Sequence, residues 1–436
     1  MNLVGKHIAI LGVGRSGRAA AALALREGAT VSAWDSAGVE AFDGMPEAVA
    51  IHPNATEEQG REVVSDLLVV SPGIDTYGSY VAAFGTHAGE VIGEVELAAR
   101  FYQGKIVGIT GTNGKTTTTE LIARILSHAS LGGTACGNYG TPFAEVVMQV
   151  NPPAAVSLEL SSFQLETIRS LHPTVAIWLN FAPDHMDRYP TVEAYKAAKL
   201  RIFDAQTTRD VAIVRGGEAL PALIAKCVTF STTDESADWF STGSSIIHQG
   251  KKCLDMETDT SLRGLHNAEN LMAALAACEV LGVPLSTMHE ALQGYSPPPH
   301  RCELIRTLDG VEYLNDSKAT NLHALESALR SQLRPVVLIA GGKDKGLDYA
   351  PVVPLLKDKA LAVVTYGQIA RSLADLFSAA VSTEAVATLS DAVAVARSLA
   401  PGGSTVLLSP GTSSFDQFSG YEQRGNAFRD LVHQLR

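Results

Sequence analysis

The stretch Gly111-Thr112-Asn113-Gly114-Lys115-Thr116-Thr117-Thr118-Thr119 joins a glycine loop, a lysine and a run of hydroxyls, just after the strand-like segment 105–110 with its apolar run 106–109. A strand that feeds such a loop into a helix aims several backbone N–H groups at one point, which suits phosphate oxygens. On this reading Gly111, Thr112, Asn113 and Gly114 form the cradle. Lys115 neutralises the outer phosphates, and the Thr116 hydroxyl, with Thr117 beside it, reaches a magnesium ion. Ile109 stands where the longer G-x-x-x-x-G-K-[ST] pattern has its first glycine, but the G-T-N-G-K-T core is intact. The bland alternative is a glycine turn that merely caps a helix; lysine followed by four threonines argues against it.

Two further segments carry groups that gather metal. Residues 156–162, VSLELSS, place Glu159 in an apolar strand, where a carboxylate is costly unless paired or bound to a cation. The alternative is a solvated edge strand with Glu159 exposed. Residues 180–190, NFAPDHMDRYP, follow another apolar run and offer Asp184, His185 and Asp187, and loops at such carboxyl ends hold ligands in α/β sheets. A lone histidine is usually structural; one beside two acids after a strand points to a site. Lys199, in AYKAAKLRIF, reads from spacing alone as a surface lysine on a helix.

A second glycine turn stands near the start. Gly12-Val13-Gly14-Arg15-Ser16-Gly17 matches G-x-G-x-x-G, and a later strand ends at Asp35. Alone, that fingerprint suggests a nicotinamide oxidoreductase. The same turn serves any phosphate-bearing nucleotide, or packs a helix on a strand.

These segments need elements to hold them. Continuous Val/Ile/Leu runs at 7–11, 67–70, 106–109, 175–179, 336–339 and 406–408 suit strands buried on both faces, hence parallel α/β sheets. They fall in three groups. Residues 93–102 read as a connecting helix, an Ala-rich helix covers 267–281, and Pro297-Pro298-Pro299 marks a linker. The expected architecture is α/β with three domains: a Rossmann-like N-terminal domain (1–93), a central P-loop ATPase-like domain (94–299) and a Rossmann-like C-terminal domain (300–436).

Composition narrows the function class. A formal charge of −12 without any Lys/Arg run argues against a nucleic-acid binder. The five cysteines are scattered and never spaced C-x-x-C, which predicts reduced thiols in a cytoplasmic protein and no structural zinc. The first residues run straight into a strand and do not read as a signal peptide, and no apolar stretch predicts membrane insertion. Nothing argues for an interface between copies, so a monomer is the expectation.

Taken together, GTNGKTTTT, ELSSFQLE, DHMDRYP, AAKLRIF, HNAEN, PHRCE, NDSKATN and LSPGTSSFDQF followed by YEQRGNAF occur in the order found in the Mur ligases, which this chain resembles over nearly its whole length. The wordings ELSSFQLE, DHMDRYP and NDSKATN are most similar to the member that adds D-glutamate. The resemblance implies that Lys115 and Thr116 are the phosphate-binding lysine and the metal-binding hydroxyl. Glu159 would ligate a first magnesium and His185 a second. Lys199 would carry CO₂ as a carbamate, which turns a cation into an anionic ligand. Asn270 and Arg301 would hold ATP, and Asp316 its ribose. Gly14, Arg15, Ser16, Asp35, Ser36 and Gly73 would contact a UDP group, with Asn138 and His185 further along that substrate. Lys318, Thr320, Lys345, Ser414, Phe415 and Tyr421 would surround the incoming amino acid. Lys343 stands where the family pattern has an acid, which implies a more positive pocket.

The implied reaction joins D-glutamate to the L-alanyl carboxylate of UDP-N-acetylmuramoyl-L-alanine at the expense of ATP, with two magnesium ions, in peptidoglycan precursor synthesis. Acceptor residues on the third domain and ATP on the second imply closure before chemistry. No residue stands out as the general base for the amine. Rival readings are the NAD-dependent oxidoreductase, which leaves Lys115 and the third domain unused, a non-catalytic ATP switch, a sister ligase with another acceptor, and a folylpolyglutamate synthase-like enzyme.

Overall fold

The computed structural model describes residues 1–436 except Asp187, Ser261, Arg263, Pro297, Pro298, Leu333 and the side chain of Glu257. The third member of the acid–histidine group and two of the linker prolines therefore lie outside the described residues. The chain forms two compact units, one of residues 1–254 and 269–293, the other of 255–268 and 294–436.

The first unit holds two large sheets. One has five strands, in the order Ala50–His52, Thr30–Trp34, His7–Leu11, Leu67–Val70, Val91–Gly93, all parallel. The other has nine. Its parallel core runs Lys226–Ser231, Val211–Arg215, Val175–Trp178, Lys105–Thr110, Ala155–Glu159, Gly132–Gly137. Buried apolar residues on both faces of these strands give the uninterrupted runs visible in the sequence.

An antiparallel pair, Trp239–Thr242 with Ser245–His248, extends the nine-stranded sheet and departs from the purely parallel expectation. Its strands bury only Trp239 and Ile246 and join through Gly243, so a short turn suffices where a parallel pair needs a crossover. The two sheets of this unit share one hydrophobic cluster. Ala20, Leu23 and Ala24 of the helix Arg15–Arg26 belong to it, with Leu97 of Glu94–Ala99 and Phe143 and Val146 of Phe143–Val147.

The second unit has a six-stranded sheet in the order Glu303–Leu308, Val311–Asn315, Thr405–Leu408, Val336–Gly341, Ala360–Tyr366, Thr383–Ala385. It is parallel except for the first pair, another antiparallel hairpin. Its two faces are covered by separate clusters, one around Val337, Val364 and Phe428, the other around Leu325, Leu338 and Phe377. Among the described residues no helix is long and apolar enough to cross a membrane.

Candidate active site

Strand order decides which loops meet. Lys105–Thr110 lies between Ala155–Glu159 and Val175–Trp178, all parallel, so the residues after their carboxyl ends converge. These residues are 111–114, Glu159 itself and 179–186.

The loop 111–114 leads into the helix Lys115–His128. Gly114 has φ +84°, and a Cβ there would lie 2.1 Å from Asn270 Oδ1, so only glycine lets the loop pass under the helix Leu265–Val280. Asn270 is buried and accepts a hydrogen bond from the Thr118 hydroxyl at 3.4 Å. Asn180, which sequence reasoning missed, clamps the other side. Its Oδ1 accepts the Asn113 N–H at 2.9 Å, its Nδ2 donates to Asn113 O at 3.1 Å, and its carbonyl accepts the Thr112 N–H at 3.0 Å. Its position at the end of Val175–Trp178 is the signal that could have found it. Thr116 and Thr117 are both buried at the start of the helix.

Two lysines meet at one carbonyl. Lys115 Nζ donates to Gly111 O and Thr112 O, each at 2.9 Å, and Lys199 Nζ donates to the same Gly111 O at 2.8 Å. Lys199 is only 1 % exposed and its Nζ lies 4.7 Å from the centroid of the buried Tyr195 ring. The surface position read from spacing is therefore wrong. The helix Val192–Leu200 turns Tyr195, Ala198 and Lys199 inward, and a three-to-four-residue period cannot say which face packs. Burial, reinforced by Lys115, holds the Lys199 ammonium well below the usual lysine range, although Asp184 and Glu159 oppose the shift.

Glu159 is not on an exposed edge; it is 2 % exposed at the end of an interior strand. Oε1 accepts from Asn138 Nδ2 at 2.7 Å, and Oε2 has no hydrogen-bond partner. A buried acceptor left without a donor costs about 1–3 kcal/mol, which a cation would offset. Among the described residues no three His, Cys, Asp or Glu side chains gather as a ready-made metal cage. A buried carboxylate, a buried threonine and a glycine–lysine loop at the ends of adjacent strands are instead the kinds of donor that suit magnesium, which keeps waters and binds through substrate phosphates. His185 is half exposed, has φ +57°, and packs edge-on against Phe163 with centroids 4.9 Å apart. Its neighbour Asp184 accepts the His185 N–H at 2.9 Å.

Arg188, also missed, ties three segments together. It donates to Pro72 O at 3.2 Å and Ile74 O at 3.1 Å, on either side of the exposed Gly73. It also pairs with Glu166 at 2.8 Å and stacks over Phe163 at 4.0 Å. Thr76 and Tyr189 donate hydroxyls to the same Glu166 carboxylate.

In the N-terminal turn, Gly17 is obligatory, since a Cβ there would sit 1.9 Å from Gly12 O. Asp35 is already engaged: Oδ2 accepts the Val13 N–H at 3.0 Å and Oδ1 the Ala37 N–H at 2.9 Å. Gly14, Arg15 and Ser36 are exposed and Ser16 half-buried, and Arg15 donates to Gly140 O at 3.1 Å, next to the Asn138 loop.

The second unit gathers its own cluster after the strands Val311–Asn315, Val336–Gly341 and Thr405–Leu408. Lys318 Nζ lies 3.7 Å from the centroid of the Tyr421 ring, and Lys345 donates to Thr320 O at 3.3 Å. Ser414 is buried, Phe415 is 63 % exposed and Lys343 is exposed. Arg424, unremarked in the sequence, is fully buried and fastens two of these loops. It donates to Ser317 Oγ (2.9 Å), Ser317 O (2.8 Å) and Thr412 O (3.1 Å). Asp316 is buried, accepting from Ser409 Oγ at 2.9 Å and the Cys302 N–H at 3.2 Å, and burial pushes its carboxyl up to about 7. Arg301 is half-buried on the segment before Glu303–Leu308.

Residues 109–278 match the Mur ligase middle domain and residues 300–411 the Mur ligase glutamate ligase domain. The chain is 40 % identical to UDP-N-acetylmuramoylalanine–D-glutamate ligase of Myxococcus xanthus, with 99 % of each chain covered. It is 39 % identical to the enzyme of that name from Geobacter metallireducens, covering 100 % of this chain and 99 % of the relative.

The chain belongs to the Mur ligase family.

Solved Mur ligases share its fold at low identity. UDP-N-acetylmuramate-alanine ligase of Thermotoga maritima superposes with a TM-score of 0.60 at 18 % identity, covering 98 % of this chain and 99 % of that one. A pseudomurein peptide ligase type C of Methanothermus fervidus gives 0.61 at 15 %, covering 99 % and 100 %. The Mur ligase fold accounts for the three large sheets, and membership of the family makes this chain a ligase. It also removes the oxidoreductase reading of the N-terminal turn.

Proposed function

We propose that this Mur ligase joins D-glutamate to UDP-N-acetylmuramoyl-L-alanine with hydrolysis of ATP to ADP and phosphate. The observation that carries the reading is the convergence of Lys115, Lys199 and the half-satisfied Glu159 on the loop 111–114. A carboxylate does not condense with an amine in water without activation. The γ-phosphoryl group of ATP passes to the L-alanyl carboxylate, giving an acyl phosphate and ADP. The D-glutamate amine, once deprotonated, attacks the acyl carbon, and phosphate leaves from the tetrahedral intermediate.

The protein's part is positioning and charge neutralisation. Loop amides and Lys115 hold the phosphates, exchanging the Lys115 bonds to Gly111 O and Thr112 O for phosphate oxygens. Thr116, Glu159, His185 and a modified Lys199 are the groups that would hold two magnesium ions, which supply charge neutralisation between two anions. Lys199 suits carbamylation: its amine is held toward the neutral, CO₂-reactive form, and the carbamate would set an anion against Lys115. Lys318, Lys343 and Lys345, with Thr320, Ser414, Phe415 and Tyr421, form a cationic acceptor site for an amino acid with two carboxylates. Asn270, Arg301 and Asp316 serve the nucleotide, and the turn at 12–17 with Asp35, Ser36, Gly73 and Asn138 serves the UDP substrate. We further assign the division into domains at 93/94 and 299/300, action as a monomer, and a cytoplasmic location where these substrates occur.

The test is phosphate release from ATP with Mg²⁺ and UDP-N-acetylmuramoyl-L-alanine, across D-Glu, L-Glu, D-Asp, L-Lys and no amino acid. Release that requires both the UDP substrate and D-Glu is expected. Release with another amino acid keeps the ligase and overturns the acceptor.

A further inference from the structure

A cleft of about 330 Å³ opens between the helix Ser79–Gly85 and the segment 166–169, and Thr76 and Glu166 in its lining connect it to the Gly73 turn. That volume lies within the range of small-ligand sites. Val81, Ala82 and Val91 form an apolar wall, and Thr76, Tyr77 and Thr86 bring hydroxyls.

Arg169 supplies a cation whose field reaches Glu90, but the neighbouring carboxylates make their direct bonds to other groups. Glu90 is engaged by Arg100 at 2.6 and 2.7 Å. Glu96 is engaged by Arg100 at 2.8 Å and by the N–H groups of Arg169, Ser170 and Leu171 at 3.0–3.1 Å. Glu166, which lines the cleft, is matched by Arg188. Among the described residues no carboxylate lies within ion-pair distance of the Arg169 guanidinium, which makes a long 3.5 Å contact to Ile168 O. The buried Glu96 meanwhile fixes the backbone from which Arg169 projects. A pre-positioned guanidinium beside an apolar wall and hydroxyls recognises an anionic group on an apolar body.

We propose that this cleft is a second small-molecule site, for a carboxylate or phosphate monoester carried on an apolar or aromatic group, and that its occupancy weakens binding of the UDP substrate. The coupling runs through Thr76. Its hydroxyl donates to Glu166, the carboxylate that anchors Arg188, and Arg188 in turn holds Pro72 O and Ile74 O around Gly73. An occupant that accepts the Thr76 hydroxyl takes it from Glu166 and shifts the 72–76 turn. This second half rests on the proposed role of Gly73 in holding the UDP group.

Phenyl phosphate, benzoate and inorganic phosphate are titrated calorimetrically into the full chain, into Arg169→Ala and into Ala82→Trp, which fills the cleft. Phenyl phosphate or benzoate should bind at least about tenfold more weakly to both variants, and inorganic phosphate should bind more weakly than either. Equal binding to wild type and Arg169→Ala, or no saturable binding, overturns the site. In the ligase assay the better probe should raise KM for the UDP substrate about twofold or more with kcat unchanged, and not in Arg169→Ala, whose basal activity should equal wild type. A KM effect that persists in Arg169→Ala places the probe elsewhere and overturns the coupling. A wild-type chain without ligase activity overturns the functional reading instead, while the calorimetry still decides the cleft.

Discussion

The two glycine turns of the first unit begin alike and end differently. Each follows a buried parallel strand and opens a helix, at 12–17 and at 111–114. The first is closed by its own acid, since Asp35 takes the Val13 N–H and the Ala37 N–H. The second is surrounded by groups from other segments: Asn180, Asn270, Lys199 and Glu159. A glycine turn therefore specifies only that a backbone can approach a phosphate closely. The residues delivered by neighbouring strands decide whether chemistry follows.

The largest expected effect breaks the second turn. Lys115→Ala should lower kcat on the order of 10³-fold or more, because its charge acts where charge moves in the transition state. A loss confined to KM for ATP would reduce Lys115 to a binding group. Next is Lys199→Ala, for which a loss of about 10²-fold or more is expected, with partial recovery on adding short carboxylic acids that replace a carbamate. Recovery absent at every concentration would argue against the carbamate, and full activity would remove Lys199 from the site.

The first turn should break more gently. Asp35→Ala removes two hydrogen bonds to backbone N–H groups and should cost about 1–3 kcal/mol of stability, raising KM for the UDP substrate more than it lowers kcat. Denaturant unfolding beside steady-state kinetics separates these. An unchanged KM would leave Asp35 a structural cap.

An effect that shows only against pH lies in the second unit, where the buried acid is a pH liability. The folded pKa of Asp316, about 7, is above its unfolded value of 3.8, so the folded state holds the proton more tightly. Stability then falls as pH rises between those values, and the loss is complete above the folded value. Asp316→Asn should flatten the decline of Tm from about pH 5 to about pH 8. An equally steep decline in the variant would trace it to other groups.

Contiguous features were legible. The strand–loop–lysine segment at 105–119 and the apolar runs at 7–11, 67–70, 175–179, 336–339 and 406–408 are all found as read, because buried parallel strands impose an unbroken apolar signature. Motif order pointed to the family and hence the three-sheet fold. The two antiparallel hairpins escaped notice because their strands are only partly buried and carry no unbroken buried apolar run.

Taken by itself, then, the sequence determined the buried parallel strands, the glycine–lysine loop at a strand–helix junction and, through its motifs, the family. Only the tertiary structure decided that Lys199 is buried at Gly111 O, that Glu159 is left with an unpartnered oxygen, and that Arg188 and Arg424 fasten loops distant in the chain. The reason is physical: a periodic pattern records which residues are apolar, whereas the burial of a charge depends on which loops the strand order brings to it.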